Sequence, residues 1–243
     1  MEVFMKPYAT SASLKAQARS ALLGHYLPLS GAYFTLALFR YLIAVPSGLY
    51  AIRPPFGMIL YYGIAFGLDV FFGIFSAGIA FLFLSNACGH PVSSAGIFIG
   101  FSRSPGKAMQ VQLLPSLLLL IPNSVTDALL TRYLATLQDR WLYWGLLCTL
   151  LFLPFVLYVK ILYSQVYFIL LDFPEMSAPE CLRYSRRLMK GNKLRYLYLM
   201  LSFLPLMLLG ILTCGIGLLY VYPYRQQTYA AFYLDLMARQ QAK

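Results

Sequence analysis

The side chains with the most chemical potential in this chain are charged groups set in apolar surroundings. Arg40, Asp69, Lys160 and Arg225 each interrupt a stretch of aliphatic and aromatic residues, and Gln165 follows Lys160 closely. An ionisable group in hydrocarbon is costly, so it faces protein or water and takes a partner. Arg40 and Asp69 lie at nearly equal distances in sequence from Arg53-Pro54-Pro55, a turn signal. Folding the chain there brings both to one depth. An Arg40–Asp69 ion pair is therefore expected, as a clamp on a helical hairpin in preference to a substrate or proton site. Lys160 is expected to snorkel to headgroups. In the alternative it lines a polar cavity with Ser164, Gln165 and the Arg225–Gln227 cluster, the one ligand cavity these residues suggest.

Chemistry of other kinds finds no constellation. HExxH, GxSxG and phosphate-binding Walker patterns do not occur. Gly215-x-Gly217 follows no strand and lacks a third glycine, so it is no nucleotide fingerprint. Cys88 and His90 have no further ligands at metal spacing, and Cys88, Cys148, Cys181 and Cys214 form no CxxC pair. No catalytic, cofactor-binding or metal-ligating residue is assigned, and a non-enzymatic protein is expected.

The elements that must carry the charged groups are long apolar helices. Of 243 residues, 60% are hydrophobic and 11% charged, and the mean hydropathy is +0.68. Soluble domains carry about 25% charged residues, so the apolar excess here must meet lipid. A helix needs about 20 apolar residues to cross a bilayer. Spans are expected near 26–50, 57–86, 109–130, 144–171, 196–213 and 217–237, with Thr213–Gly217 as a tight turn between the last two. The first span doubles as an uncleaved insertion signal. Six spans with both termini inside put Lys6, Lys15, Arg19, Arg103, Lys107, Arg183, Arg186, Arg187, Lys190, Lys193, Arg195, Arg239 and Lys243 on the inner side. Only Arg53, Arg132 and Arg140 then lie outside. Five spans give a weaker asymmetry, so the positive-inside rule favours six. The sixth is the weakest: Arg225, Gln226 and Gln227 break its apolar face, and a surface amphipathic helix is the alternative.

Gly63, Gly67, Gly73 and Gly78 are read as allowing close helix approach, with Gly63-x3-Gly67 a small-xxx-small packing position within the molecule in preference to a dimer seam. Tyr61, Tyr62, Trp141, Tyr143 and Trp144 are read as headgroup-level anchors. Inner segments 10–24 and 177–191 read as basic amphipathic helices, with 94–107 a poorer version. In 177–191, Ser177 and Glu180 have capping-box spacing, Pro179 sits in the first turn and Gly191 marks the stop. Arg183, Arg186, Arg187 and Lys190 share the face opposite Leu182, Ser185 and Leu188, and Lys193 follows. This run is a positive-inside signal and the candidate contact for anionic headgroups. The net charge of +11 gathers beside spans, which argues against nucleic acid as the partner.

The most distinctive stretch runs from Ser185-Arg-Arg-Leu-Met-Lys-Gly-Asn-Lys193 through Leu201-Ser-Phe203 and Leu212-Thr-Cys-Gly-Ile-Gly217. It continues to Pro223-Tyr224 and Thr228-Tyr-Ala-Ala-Phe-Tyr233. It resembles a bacterial membrane family catalogued as domain of unknown function 975, itself similar to the membrane domain of some glycerophosphodiester phosphodiesterases. Segment Leu14–Tyr26 resembles that family's basic N-terminal helix. This chain departs from the pattern at Leu204-Pro205, Tyr220 and Pro154-Phe155, where the family has tryptophans and a Pro-Gly pair. The resemblance implies a polytopic bacterial membrane protein and supplies no catalytic residue.

The expectation is an all-α transmembrane bundle of about six spans, residues 1–243 forming one integral membrane domain with cytoplasmic amphipathic helices. It sits in the bacterial plasma membrane, both termini cytoplasmic. It is expected to bind a membrane-protein partner or to sense or organise lipid; the alternative is transport through Arg40, Asp69, Lys160 and Arg225.

Overall fold

In a computed structural model, which describes residues 8–42 and 56–241, every regular element among the described residues is helical. The far end of the expected span 26–50 and the turn at Arg53 lie outside the described residues.

Helix α1 (Ser11–Leu22) starts at Thr10, whose hydroxyl accepts from the Ser13 N–H at 3.2 Å. It buries Leu14, Ala18 and Leu22. Gly24, at φ +81°, lets the chain bend by 98° into α2 (Tyr26–Leu42). Helices α3 (Phe56–Phe71) and α4 (Gly73–Ala87) form one 32-residue rod. Its ladder continues through Phe72, which donates to Leu68 and accepts from Ser76. At 1.5 Å per residue the rod is about 48 Å long, beyond the ~30 Å hydrocarbon layer.

The segment expected as a third surface helix behaves differently. Residues 94–107 form a 3₁₀ turn (Ser94–Phe98), a short α5 (Ile99–Arg103) and the start of α6 (Pro105–Thr136). The first two press backbone to backbone against α4. A Cβ on Gly78 would lie 1.9 Å from the Ile97 carbonyl oxygen, and one on Gly100 2.2 Å from that of Ile74. Two glycines on facing elements permit this approach. Phe71 and Phe75 meet edge to face, and each meets Phe101 the same way, as Phe75 does Phe98.

Leu137, at φ 51°, caps α6 and turns the chain into α7 (Asp139–Leu162), which packs along α6 as a hairpin. The chain breaks at residues 163–165 before α8 (Val166–Asp172). Helix α9 (Ala178–Leu188) follows, then α10 (Lys193–Leu201) and α11 (Leu204–Leu212), interrupted at Ser202-Phe203 before Pro205. Cys214 and Gly215 both adopt positive φ, making the tight turn expected at 213–217. That turn leads to α12 (Leu218–Gln241).

Among the described residues, four units are long and apolar enough to cross a membrane: Phe56–Ala87, Pro105–Thr136, Asp139–Asp172 and Lys193–Leu212. The bent pair α1–α2 would make five. Six distinct spans are not evident. Helix α12 has the length but not the apolarity, because Arg225, Gln226, Gln227, Thr228, Asp235 and Arg239 punctuate it. Its polarity has a physical home: α12 packs on α1, α2, α4 and α11, and residues 227–233 are buried in protein. By contrast, only 11% of the apolar window in each of the α6 and α7–α8 units is buried, against 67% in α3–α4. Leu117, Ile121, Leu146, Leu150, Leu151 and Leu208 lie exposed. Apolar side chains left outward on this scale make sense in lipid, since each would forgo about 1.5–3 kcal/mol of burial in water.

Candidate functional site

Asp69 faces α6. Its Oδ2 accepts hydrogen bonds from Ser116 Oγ at 2.5 Å and Gln112 Nε2 at 3.1 Å. Gln112 in turn accepts from the Tyr167 hydroxyl at 2.6 Å, tying α3, α6 and α8 together. Gly73 allows the contact: a Cβ there would lie 2.8 Å from Gln112 Cβ and 2.9 Å from the Ala108 carbonyl oxygen. Hydrogen bonds to a carboxylate keep it tolerable in an apolar setting. A proton wire does not follow, because the Gln112 amide can donate and accept but does not pass a proton on.

The expected Arg40–Asp69 ion pair is not formed. Arg40, in the last turn of α2, lays its guanidinium over the Phe72 ring, 4.9 Å from the centroid. Arg40 does lie near the depth of Asp69, since Phe72 is about one turn from Asp69 along the rod. Rotation about the axis decides the partner: α3 turns Asp69 toward α6, whereas α2 packs on α4 and α12.

Beyond Tyr167 lies a cleft of about 620 Å³. Arg40, Tyr33, Ser76, Ser164, Tyr167 and Gln226 supply its polar atoms, and Phe34, Leu36, Phe83, Leu218 and Leu219 supply apolar walls. Gln226 Nε2 donates to Tyr33 Oη at 3.3 Å, and the Tyr33 and Tyr222 rings stack at 5.2 Å. This is not the cavity expected around Lys160. Ser164 and Gln226 line it; Lys160, Gln165 and Arg225 do not. Lys160 is exposed because its neighbours Val159 and Ile161 take the buried side of α7. Gln165 is fully buried, with its amide nitrogen on Ser164 Oγ and its carbonyl oxygen unpartnered. Arg225 lies against the rings of Tyr222 and Tyr229, and its Nη1 donates to Met207 Sδ at 3.5 Å.

Gly63 and Gly67 do not serve as packing positions within the molecule: a Cβ on either meets nothing within 4 Å among the described residues. Asp69 also borders a smaller cleft of about 250 Å³ with Tyr61, Asn123 and Asp127. Gln112, Ser116, Tyr167 and Tyr33 were not singled out from sequence. The i, i+4 spacing of Gln112 and Ser116 in an apolar run was a usable signal, whereas two tyrosines out of twenty were not.

On the inner basic segment, Glu180 accepts from the N–H and hydroxyl of Ser177 at 2.8 and 2.7 Å, and these bonds hold its carboxyl below the usual range. Helix α9 buries Ala178, Cys181, Leu182, Ser185 and Leu188, and Ser185 Oγ donates to the Leu162 carbonyl. Arg183, Arg186, Arg187 and Lys190 point outward, exposed. Lys193 instead lies over the Tyr158 ring, 4.6 Å from its centroid. Arg195 is drawn inward: it pairs with Asp235 at 3.0 Å and donates to the Ala9 carbonyl. Asp235 also meets Arg239 at 3.6 Å.

Four or five helices long and apolar enough to cross a bilayer among the described residues, all of whose regular elements are helical, together with an outward apolar belt, mark a membrane protein by class. Among the described residues no group of three His, Cys, Asp or Glu side chains is placed to hold a metal. The family described as "Protein of unknown function (DUF975)" matches residues 5–240, and the chain belongs to it. No curated protein and no solved structure matches the chain.

Proposed function

We propose that this chain is a non-enzymatic, multi-pass protein of the bacterial cell membrane that engages anionic lipid headgroups, or an acidic membrane partner, through the basic face of α9. The observation that carries the reading is the one-sided burial of α9: a capped helix packed into the core on one face and presenting Arg183, Arg186 and Arg187 on the other, with Lys190 exposed just past its end. A basic residue near an anionic bilayer surface contributes about 1 kcal/mol. Neutralising all four is expected to weaken anionic-lipid binding by roughly two to three orders of magnitude. Native mass spectrometry of the full chain in mild detergent, titrated with phosphatidylglycerol or phosphatidylcholine, measures this directly. The proposal fails if R183Q/R186Q/R187Q/K190Q retains phosphatidylglycerol as the wild type does.

In this reading α12 makes a sixth crossing shielded by protein, and both termini face the cytoplasm. Cys88 and Cys214, both exposed, then lie on opposite sides. A membrane-impermeant maleimide applied to intact cells should label Cys214 but reach Cys88 only after permeabilisation. Three crossings separate these cysteines with or without α12, so the sixth is read from Lys243→Cys in a cysteine-free background: labelling there in intact cells argues for five crossings.

A second reading, transport of a small solute or ion, draws on the Asp69–Gln112–Tyr167 chain between two clefts. Proteoliposomes that move no ion or solute above background, for wild type and Asp69→Asn alike, would remove it.

A further inference from the structure

We infer that the cleft between α2, α4 and the α11–α12 turn binds an anionic acyl amphiphile, its carboxylate or phosphate on Arg40 and its chain along the apolar wall. This site is separate from the basic face of α9. Three observations converge on it. First, Arg40 carries a full charge at the cleft and, among the described residues, has no carboxylate partner; its guanidinium lies on the Phe72 ring, with Asp69 engaged elsewhere. A guanidinium stacked on an aromatic ring keeps its N–H fork available for an oxyanion. Second, the walls are graded. Hydroxyls of Ser76 and Tyr167 share the cleft with Arg40, whereas Phe34, Phe83 and Leu219 make its apolar part. Such an arrangement suits a ligand with one charged end and a hydrocarbon body. Third, Phe34 and Leu219 are 55% and 42% exposed, so the cleft opens at the lipid-facing surface, where an amphiphile enters without crossing water. Its volume of about 620 Å³ falls within the ~300–1,000 Å³ of small-ligand sites. That space takes one acyl chain, and leaves any second chain in the bilayer.

The test uses the full chain in mild detergent with three diazirine-bearing probes: palmitate, phosphatidic acid and neutral monoacylglycerol. After photolysis, the labelled peptides are mapped by mass spectrometry. Anionic probes should label residues of α2, α4 and 215–222 at least fivefold above the neutral probe. Arg40→Gln should lose that labelling about tenfold, Arg40→Lys should recover part of it, and Ala37→Phe should block it by filling the cleft. Labelling by palmitate alone identifies a free fatty acid, and by phosphatidic acid alone a phospholipid. The R183Q/R186Q/R187Q/K190Q variant should label at the cleft as the wild type does, which separates this site from the α9 face. Equal labelling by the neutral probe, or full labelling of a folded Arg40→Gln protein, overturns the inference.

Discussion

Gly78→Ala tests the backbone-to-backbone contact between α4 and residues 94–103. The added methyl would sit 1.9 Å from the Ile97 carbonyl oxygen, about 1.5 Å inside the 3.4 Å at which ordinary contact begins. The obstacle is backbone, held by Gly96 against Leu82 and by Gly100 against Ile74, so no single rotamer relieves it. Overpacking of this kind costs about 1–3 kcal/mol and sometimes more. Alanine returns up to ~1 kcal/mol of helix propensity. The net expectation is a loss near 2 kcal/mol, which for a chain of this size lowers the melting temperature by about 4–8 °C. Gly63→Ala and Gly67→Ala are the controls, since a methyl at either meets nothing within 4 Å among the described residues. They should be neutral or slightly stabilising. Gly78→Ala/Gly100→Ala should cost less than the sum of its parts, because one displacement relieves both clashes. The assay is thermal unfolding of purified protein in one detergent, read by circular dichroism. A Gly78→Ala protein melting at or above wild type, with the controls behaving as stated, would refute the packing.

Three further outcomes follow from the same geometry. In double-mutant cycles, Asp69→Ala and Ser116→Ala should couple by about 1 kcal/mol or more, whereas Arg40→Ala and Asp69→Ala should be additive within about 0.5 kcal/mol; the reverse order would restore the ion pair. Glu180 has its carboxyl lowered by the Ser177 hydroxyl and N–H, so the stability it lends α9 is complete above its unfolded value near 4.5 and disappears as pH falls through the lower folded value. Hydrogen exchange over α9, corrected for intrinsic rates, should show protection falling as pH drops below that unfolded value, and Ser177→Ala should blunt that dependence; identical profiles would exclude the cap. Asp235→Asn leaves Arg195 and Arg239 without their shared carboxylate and should destabilise the protein by about 1–3 kcal/mol, with an unchanged melting temperature counting against the clamp.

Much of this protein was legible in the order of its residues. Apolar runs near 57–86, 109–130, 144–171 and 196–213 correspond to the four long units, because length and apolarity are enough to specify a crossing. Helix α9, its Ser177–Glu180 cap and its outward arginines were legible because a helix at a polar boundary must alternate its faces. So was the reversal at 213–217, where glycine supplies the positive φ. What only the tertiary structure decided is rotation and enclosure. A helix apolar on every side has no preferred inward face, so the sequence places Asp69 in depth but not toward Gln112 and Ser116 instead of Arg40. For the same reason Lys160 left the cleft that Arg40 joined. Helix α12 was misjudged in the opposite sense: its polar residues weaken it as a lipid-facing span, yet Gln227 and Asn86 bond to each other in the core at 2.9 Å. Hydropathy measures what a segment offers to lipid, and only the packed fold determines which segments meet lipid and which meet protein.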